Sequence, residues 1–320
     1  MINNTYILLL LVGLSVAILS ILIYNTVVQK SSFKLFNENY SKSISLFQWN
    51  THYECFTTET NGTCCSKPLE SYINNNLINR NVDFANFSMF ELKTYIPPEN
   101  YTIINPFSHP DKTCGYDITC LVYNNKRWKQ VSDNNVYPYY GCLQYPSDPH
   151  PKSKKGSWDR SFIIQKFTDS KGVIMFVIGA HYSHDPELST KRIAQTLQKL
   201  NITDKDNIIF MADTNDINPQ QPTTNSSFMS QLLHTTPSNV QGTTTNMATC
   251  CCSDTPKAFQ YKTDRIISNF GAGLTPQLGN LNQIFPDIQN PCSPLVSTSD
   301  PVVKCKLGEM HLPLFWVLNP

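Results

Sequence analysis

The sequence predicts an α/β fold in which two β-sheets pack against each other as layers. Short apolar segments with strand character recur through most of the chain, and two segments with helical character lie among them. Turn residues at two junctions are typical of hairpins, which join antiparallel strands. Hairpins mixed with crossing helices are typical of a layered α/β sandwich.

Eight segments are rich in the β-branched and aromatic residues that favour strands. Their ranges are 44–49, 83–90, 101–106, 118–123, 162–167, 173–180, 208–212 and 263–269. Hairpin turns are predicted at residues 124–126 and 169–172, where Asn, Asp, Ser and Gly suit tight turns.

Two helices are predicted between the strands. Residues 186–200 begin with Pro-Glu after Asp185 and place their apolar residues near one face. Residues 68–78 form the second helix, in which several asparagines lower the helix propensity.

The amino-terminal run at residues 7–24 is apolar apart from two serines and a glycine, and it is long enough to cross a bilayer as a helix. No small-x-small exit follows it, which favours an uncleaved anchor over a cleaved signal peptide. We therefore expect a signal anchor and transmembrane segment at residues 1–28, a stalk at 29–43 and one folded domain at 44–320.

Two features disagree about the side of the membrane on which the domain lies. Lys30 and Lys34 follow the span, which favours a cytosolic domain by the positive-inside rule. The 11 cysteines, none with C-x-x-C spacing, favour a disulfide-bearing lumenal or extracellular domain, and this is the expectation we adopt. Secretion after signal cleavage is the alternative. Glycosylation sequons at Asn39, Asn61, Asn86, Asn100, Asn201 and Asn225 agree with a lumenal or extracellular domain but carry little weight, because so Asn-rich a chain produces such sequons by chance.

Length and charge set wide limits on function. A chain of 320 residues with 40% hydrophobic content can bury one large core or two ordinary ones. Lys and Arg number 25 against 24 Asp and Glu, so the net charge is +1. Any site for a polyanion must therefore be local.

An Asp and an Asn lie two residues apart at the end of an apolar strand. Asp213 and Asn215 follow residues 208–212, and this spacing on a strand puts both side chains on one face. Together they can hold a hard divalent cation, or a phosphate oxygen and an attacking water. An Asx turn closing a core strand would explain the pair equally well. The polar residues at other strand ends decide between these interpretations.

Further strands end or begin with side chains of the same kind. In chain order the motifs are Gln48-Trp49-Asn50, Phe90-Glu91, Arg160-Ser161-Phe162, Gly179-Ala180-His181, Ala212-Asp213-Thr214-Asn215 and Thr263-Asp264-Arg265-Ile266. With these motifs the chain resembles the endonuclease/exonuclease/phosphatase superfamily, the metal-dependent phosphodiesterases and phosphatases built like pancreatic deoxyribonuclease. The resemblance covers most of residues 44–317 and is closest over 158–269.

This resemblance implies a fold and a cofactor. The expected fold is a four-layer sandwich of two packed mixed β-sheets flanked by helices, here preceded by an N-terminal transmembrane helix. The expected cofactor is Mg²⁺, or Mn²⁺ or Ca²⁺, with Glu91, Asn50 and Asp213 as ligands. Phe90 stands where the family has Gln, which leaves the ligand at Glu91 intact.

The resemblance also assigns roles in catalysis. Asn50 and Arg160 would contact the substrate phosphate. His311 would act as the general base, with its tautomer fixed by Asp264. The catalytic residues implied in this way are His311, Asp264, His181, Asp213 and Asn215.

The last motif departs from the family pattern of Ser-Asp-His followed by Pro and an apolar strand. Here Ser299-Asp300 is followed by Pro, and a His comes only at position 311. One alignment places the catalytic His at His311, because Pro and an apolar strand follow it, and lets Glu309 or Asp300 stand in for the missing Asp. The other alignment leaves no general base.

We therefore expect a metal-dependent phosphodiester hydrolase. Nucleic acid is the favoured substrate, because the Arg160 segment and Asp264-Arg265-Ile266 resemble the secreted nucleases. A phospholipid head group, as in sphingomyelinases, is one alternative. A catalytically inactive, membrane-anchored binding protein is another, and the oligomeric state is unknown.

Overall fold

The computed structural model describes residues 43–51, 66–90, 95–104, 119–145, 160–216, 224–243, 248–252, 259–280, 296–297, 304–305 and 311–320. Residues Ile44–Asn319 form one compact unit. Within the described ranges, no helix is long and apolar enough to cross a membrane. The apolar run at 7–24 lies outside them, as does the stalk except for Ser43.

Eighteen strands and three helices make up the described elements. The strands are β1 (Ile44–Asn50), β2 (Phe84–Ser88), β3 (Tyr101–Ile104), β4 (Cys120–Asn124), β5 (Trp128–Val131), β6 (Tyr139–Cys142), β7 (Ser161–Asp169), β8 (Ile174–His181), β9 (Ile208–Asp213), β10 (Gln241–Gly242), β11 (Cys250–Cys252), β12 (Phe259–Tyr261), β13 (Asp264–Ser268), β14 (Ala272–Gly273), β15 (Gln277–Leu278), β16 (Val296–Ser297), β17 (Lys304–Cys305) and β18 (Leu314–Asn319). The helices are α1 (Ser66–Asn79), α2 (Pro186–Lys199) and α3 (Asn225–Leu233).

Most strands belong to two seven-stranded mixed sheets. The first has the order β14-β18-β1-β2-β4-β3, and β15 also pairs with β18. The second has the order β10-β13-β9-β8-β7-β5, and β6 also pairs with β7. Each sheet contains one parallel pair, β1 with β2 in the first and β8 with β9 in the second. The other pairs are antiparallel, as are the small separate pairs β11 with β12 and β16 with β17.

The first sheet is covered on its outer face by α1. Phe47 and Trp49 on β1 belong to one buried cluster with Leu69 and Ile73 of that helix. Because strand side chains alternate between faces, Gln48 and its even-numbered neighbours on β1 point the other way, towards the second sheet.

Helices α2 and α3 cover the outer face of the second sheet. Phe210 and Ala212 on β9 belong to a buried cluster with Ile193 of α2 and Phe228 of α3. The alternate residues of β9, including Asp213, therefore face the first sheet. The inner faces meet in an apolar layer, where the rings of Phe84 on β2 and Phe167 on β7 have their centroids 4.9 Å apart.

The helix predicted at 186–200 is confirmed as α2. The Asp185 side chain caps it by accepting a hydrogen bond from the Leu188 amide at 2.9 Å, and Pro186 occupies its first turn. The second predicted helix is confirmed as α1, which starts two residues earlier than expected at Ser66.

One predicted hairpin is confirmed and the other is wrong. Strands β7 and β8 pair antiparallel across residues 169–172, where Gly172 has a φ of 80° and Asp169 Oδ1 accepts the Lys171 amide. Residues 124–126 do form a turn, but β4 pairs with β2 and β3 whereas β5 pairs with β7. Local turn chemistry sets the reversal of the chain, not the sheet that the next strand joins.

Asp83 ties the start of β5 to the first sheet. Its carboxylate lies directly before β2 and accepts hydrogen bonds from both Arg127 and Trp128, the residues that begin the β5 segment. It also accepts the Ser45 amide of β1 at 2.8 Å. This one buried carboxylate therefore joins three segments at the edge where the chain changes sheets.

The described cysteines include both disulfide-bonded residues and a free thiol, and one of the sequons is buried. Cys142 and Cys250 are disulfide-bonded, whereas Cys120 is a buried free thiol whose pKa is raised by burial. The expectation of a glycan at Asn86 is wrong, because this side chain is fully buried between the sheets and donates to Gln48.

Gly179 on β8 provides a test of the packing between the sheets. A Cβ at this position would lie 2.3 Å from Asn86 Oδ1 and 2.6 Å from Leu121 Cδ2. We expect Gly179→Ala to lower the free energy of unfolding by about 1–3 kcal/mol through overpacking, as measured by urea denaturation. A change within experimental error would show that the two sheets can move apart at this point.

Candidate active site

The candidate site lies where polar ends of strands from both sheets meet. In the second sheet, Asp213 at the end of β9 is directly paired with His181 on one side and with Asp264 on the other. Residues that are directly paired on neighbouring strands point to the same face. The backbone register therefore brings these three side chains together on the inner face.

His311 and Asp264 form a close contact within the site. His311 Nδ1 lies 2.6 Å from Asp264 Oδ2, and both side chains are buried. Because a carboxylate can only accept, Nδ1 carries the proton and Nε2 is left with its lone pair. This is the arrangement that a neutral imidazole needs in order to take a proton from water.

The backbone around His311 is held from both sides. Trp49 Nε1 donates to the His311 carbonyl at 2.9 Å. The next amide, Leu312 N, donates to the Thr249 carbonyl at 2.7 Å, and the Thr249 hydroxyl accepts the Asp264 amide at 3.1 Å. Thr249 therefore links the segments that carry the two members of the pair.

Asp213 is the centre of a second group. Its Oδ2 accepts from Asn50 Nδ2 at 2.8 Å and lies 3.3 Å from His181 Nε2, and its Oδ1 accepts the Asn215 amide at 3.0 Å. Burial opposes ionisation of this carboxyl, but its electrostatic interactions with the His311 and His181 rings and its hydrogen bonds outweigh burial and hold its pKa below the ordinary value. The carboxylate is therefore ionised at neutral pH.

Arg160 is also at the site, next to His181. Its Nη1 lies 2.7 Å from each ring nitrogen of His181. A guanidinium only donates, so the ring nitrogen that accepts from it is unprotonated. With Nδ1 as acceptor, the Nε2 proton is directed to Asp213. A buried cation, a neutral imidazole and a carboxylate thus form one row.

Asn215 lies beside this row in a left-handed conformation, with a φ of 47°. Its Nδ2 donates to the Tyr182 carbonyl at 2.6 Å while its amide caps Asp213. Asn tolerates this conformation better than most residues do. The Asp-Thr-Asn sequence therefore forms an Asx turn and a site residue together, so the two interpretations of this motif are not exclusive.

Three residues of the expected site lie outside the described part of the chain, namely Glu91, Asp300 and Glu309. The structure brings together all the others, which are Asn50, Arg160, His181, Asp213, Asn215, Asp264 and His311. Among the carboxylates of the described residues, that of Asp264 lies 2.6 Å from His311 Nδ1 and that of Asp213 lies 3.8 Å from it.

The donor set fits a hard divalent cation. Asp213, Asp264 and His311 each offer a ligand atom within 4.8 Å of the others. The Asp264–His311 contact of 2.6 Å is shorter than the roughly 3 Å that separates two ligands of one ion, so this pair is a hydrogen bond. Asp213, with Asn50 beside it, remains as an oxygen ligand of the type that Mg²⁺ takes.

Gln48 is a site residue that the sequence analysis overlooked. It is fully buried and donates through Nε2 to Asp264 Oδ1 at 3.1 Å. Its position two residues before Asn50 on β1 puts both side chains on one face, so strand periodicity could have found it. Thr249 carried no comparable signal, because its two contacts depend on the tertiary fold.

Comparisons with known proteins support the fold. No protein-family model and no curated protein matches the sequence. Solved structures do match. An endonuclease/exonuclease/phosphatase from Bacteroides vulgatus aligns with a TM-score of 0.55 and 12% identity, over 88% of this chain and 100% of that one. Mannosyl-6-phosphatase of Bacteroides thetaiotaomicron aligns with a TM-score of 0.57 and 11% identity, over 86% and 100%. TDP2 of D. rerio, complexed with single-strand DNA product, gives 0.51 and 14%, over 88% and 100%.

The depressed pKa of Asp213 generates a prediction about acid stability. In the folded protein the pKa of Asp213 lies below its ordinary value of 3.8. Ionised Asp213 therefore stabilises the fold above that pH, and this contribution is lost as the pH falls further. Between pH 5 and pH 3, the free energy of unfolding should therefore fall less steeply in Asp213→Asn than in the wild type. Parallel curves from urea denaturation at several pH values would contradict this.

Proposed function

We propose that this chain, which has the fold of the endonuclease/exonuclease/phosphatase superfamily, is a divalent-cation-dependent phosphoester hydrolase. The observation that carries the proposal is the buried Asp264–His311 pair beside Asp213, with Asn50, Arg160, His181 and Asn215 around it. One face of this cluster offers a base, and the other offers hydrogen-bond donors for an anion.

In this proposal His311 removes the proton from the attacking water. Its Nε2 can accept a proton because Nδ1 is bonded to Asp264, and the carboxylate stabilises the imidazolium that forms. Asp264 keeps its own charge throughout. Trp49 and Thr249 both bond the peptide group that follows His311, so the ring is positioned before substrate arrives.

Arg160, His181 and Asn215 would hold the phosphate. Arg160 contributes a fixed positive charge, and charge-assisted hydrogen bonds to phosphate are among the stronger ones. His181, which bridges Arg160 and Asp213, can change partner when an anion binds. A divalent cation bound by Asp213 and Asn50, with Glu91 as a further ligand, would neutralise charge on the phosphate and the leaving oxygen.

The substrate we favour is nucleic acid, and the support for it comes from sequence motifs and from one neighbour. The Arg160 segment resembles that of the secreted nucleases, and the TDP2 structure contains single-strand DNA product. Arg265 gives no such support. It lies on the outer face of β13, where it forms a salt bridge with Asp216 at 2.6 Å. Another neighbour is a mannosyl-6-phosphatase, so a non-nucleic phosphoester is the alternative to test.

One assay of the full chain decides among these functions. Single- and double-stranded DNA, RNA, sphingomyelin in detergent micelles, mannose 6-phosphate and bis-p-nitrophenyl phosphate are each incubated with protein and Mg²⁺. Turnover of DNA or RNA alone would support a nuclease, and turnover of sphingomyelin would support the hypothesis of a sphingomyelinase-like activity. Absence of turnover on every substrate would favour a binding protein.

We expect hydrolysis to stop after exhaustive chelation and to return with added Mg²⁺. The reason is that the oxygen ligands at Asp213 and Asn50 suit a hard cation, which supplies the charge stabilisation that the protein side chains only partly provide. Initial rates on the best substrate of the panel measure this. An unchanged rate in the presence of chelator would reject the metal-dependent mechanism.

Removing the base should separate the two possible alignments of the carboxyl end. His311→Ala should lower kcat by about 10²–10⁴, and Asp264→Asn should lower it comparably because the imidazole loses its orienting carboxylate. Asp300→Ala should cost far less. The matched control is Asp83→Asn, another buried carboxylate, which should lower stability but leave kcat unchanged. Equal losses in Asp300→Ala and His311→Ala would show that the alignment at His311 is wrong.

A further inference from the structure

We propose that Gln48 is a positioning residue for the Asp264–His311 pair and that Asn86 holds Gln48 in its working orientation. The proposal deepens the proposed function, on which its kinetic part rests. Neither residue belongs to the set of side chains that could contact a phosphate or a cation directly. Both act on the base through the carboxylate behind it.

The first observation is how the two oxygens of Asp264 are used. Oδ2 takes the contact to His311 Nδ1 at 2.6 Å, and Oδ1 accepts from Gln48 Nε2 at 3.1 Å. A carboxylate held at only one oxygen can rotate about its Cβ–Cγ bond. The second hydrogen bond removes this freedom and keeps Oδ2 directed at the imidazole.

The second observation is that the orientation of the Gln48 amide is itself determined. Asn86 Nδ2 donates to Gln48 Oε1 at 2.7 Å, so the Gln48 nitrogen must be the end that faces Asp264. Asn86 has room to do this because its neighbour across the sheets is Gly179, where a Cβ would lie 2.3 Å from Asn86 Oδ1. The row therefore runs Asn86, Gln48, Asp264, His311.

The third observation is the place of these amides in the core. Gln48 and Asn86 are fully buried on inner strand faces, and Asn86 Oδ1 has no hydrogen-bond partner within the described part of the chain. Burying a polar group is unfavourable when its hydrogen bonds are incompletely satisfied, so apolar side chains would stabilise this layer better. A role at the site accounts for their presence, which packing alone does not.

The chemistry also favours a neutral donor here. A Lys or Arg behind Asp264 would fix the carboxylate but would neutralise the charge that supports the imidazolium. The Gln48 amide fixes its orientation and leaves the charge in place. Removing such a partner behind a functional group typically lowers activity by about 10–100-fold.

The test compares Gln48→Met with Gln165→Met in the full chain. Gln165 is also fully buried, and its amide is bonded at both ends, to Val131 and Gln130 of β5 rather than to the site. With bis-p-nitrophenyl phosphate and Mg²⁺, Gln48→Met should lower kcat about 10–100-fold with little change in KM, because the phosphate contacts are untouched. Gln165→Met should change neither.

A double-variant comparison separates positioning from general damage to the fold. If Gln48 acts through Asp264, adding Gln48→Met to Asp264→Asn should cost almost nothing more, because the carboxylate that it positions is already gone. Multiplicative losses would show that Gln48 acts by another route and would overturn the proposal.

A readout that needs no substrate keeps the proposal distinct from the proposed function. The His311 Nδ1 proton, observed by ¹⁵N-edited NMR on the metal-free protein, should be protected from exchange in the wild type and in Gln165→Met. In Gln48→Met it should exchange faster. Faster exchange in Gln48→Met, together with a wild type that hydrolyses nothing, would leave the positioning role standing and reject the enzyme. Unchanged protection in Gln48→Met would overturn the positioning role whatever the activity.

Discussion

The face-to-face contact of the two sheets is the constraint on which the whole site depends. Asn50 from the first sheet bonds Asp213 from the second at 2.8 Å, and Gln48 bonds Asp264 across the same gap. Strand side chains alternate with a period of two, so a slip of one residue in either sheet would turn these groups outward. The apolar contacts elsewhere in the layer, such as Phe84 against Phe167, therefore also maintain the register of the site.

Two buried carboxylates lie close together here, and this requires strong compensation. Ionised groups in a low-dielectric interior are unfavourable unless partners satisfy them. Asp213 is surrounded by Asn50, His181 and the Asn215 amide, whereas Asp264 has His311 and Gln48. Under the proposed function, the first carboxylate would lie on the side that binds the anion and the second would support the base. Different partners would then give two chemically similar residues different functions.

The sequence alone predicts much of the fold and of the candidate site, and the predictions that are wrong or missing have physical causes. Periodicity located β1, β7, β8 and β9 to within a few residues, because their apolar patterns are strong and local. The hairpin predicted at 124–126 is wrong because turn residues specify a reversal of the chain, whereas the pairing of β5 with β7 is a tertiary contact that local turn chemistry does not determine. Family resemblance placed Asp264 with His311, and no local pattern could have joined residues 47 positions apart. The alternation of β1 indicates that Gln48 shares a face with Asn50, but it does not identify Asp264 as the partner of Gln48.

The position of His311 in the chain makes the site depend on contact between the two ends of the domain. The strand that follows it, β18, pairs antiparallel with β1, so Leu314 aligns with Gln48 although the two are separated by most of the domain. Contacts of such sequence separation form slowly because a long loop must close first. Until β18 is in place, Trp49 has no carbonyl to bind and Asp264 has no imidazole, although β8, β9 and β13 can already pair among themselves. The row of Arg160, His181 and Asp213 is therefore built within the second sheet alone, whereas the Asp264–His311 pair requires both ends of the domain to meet.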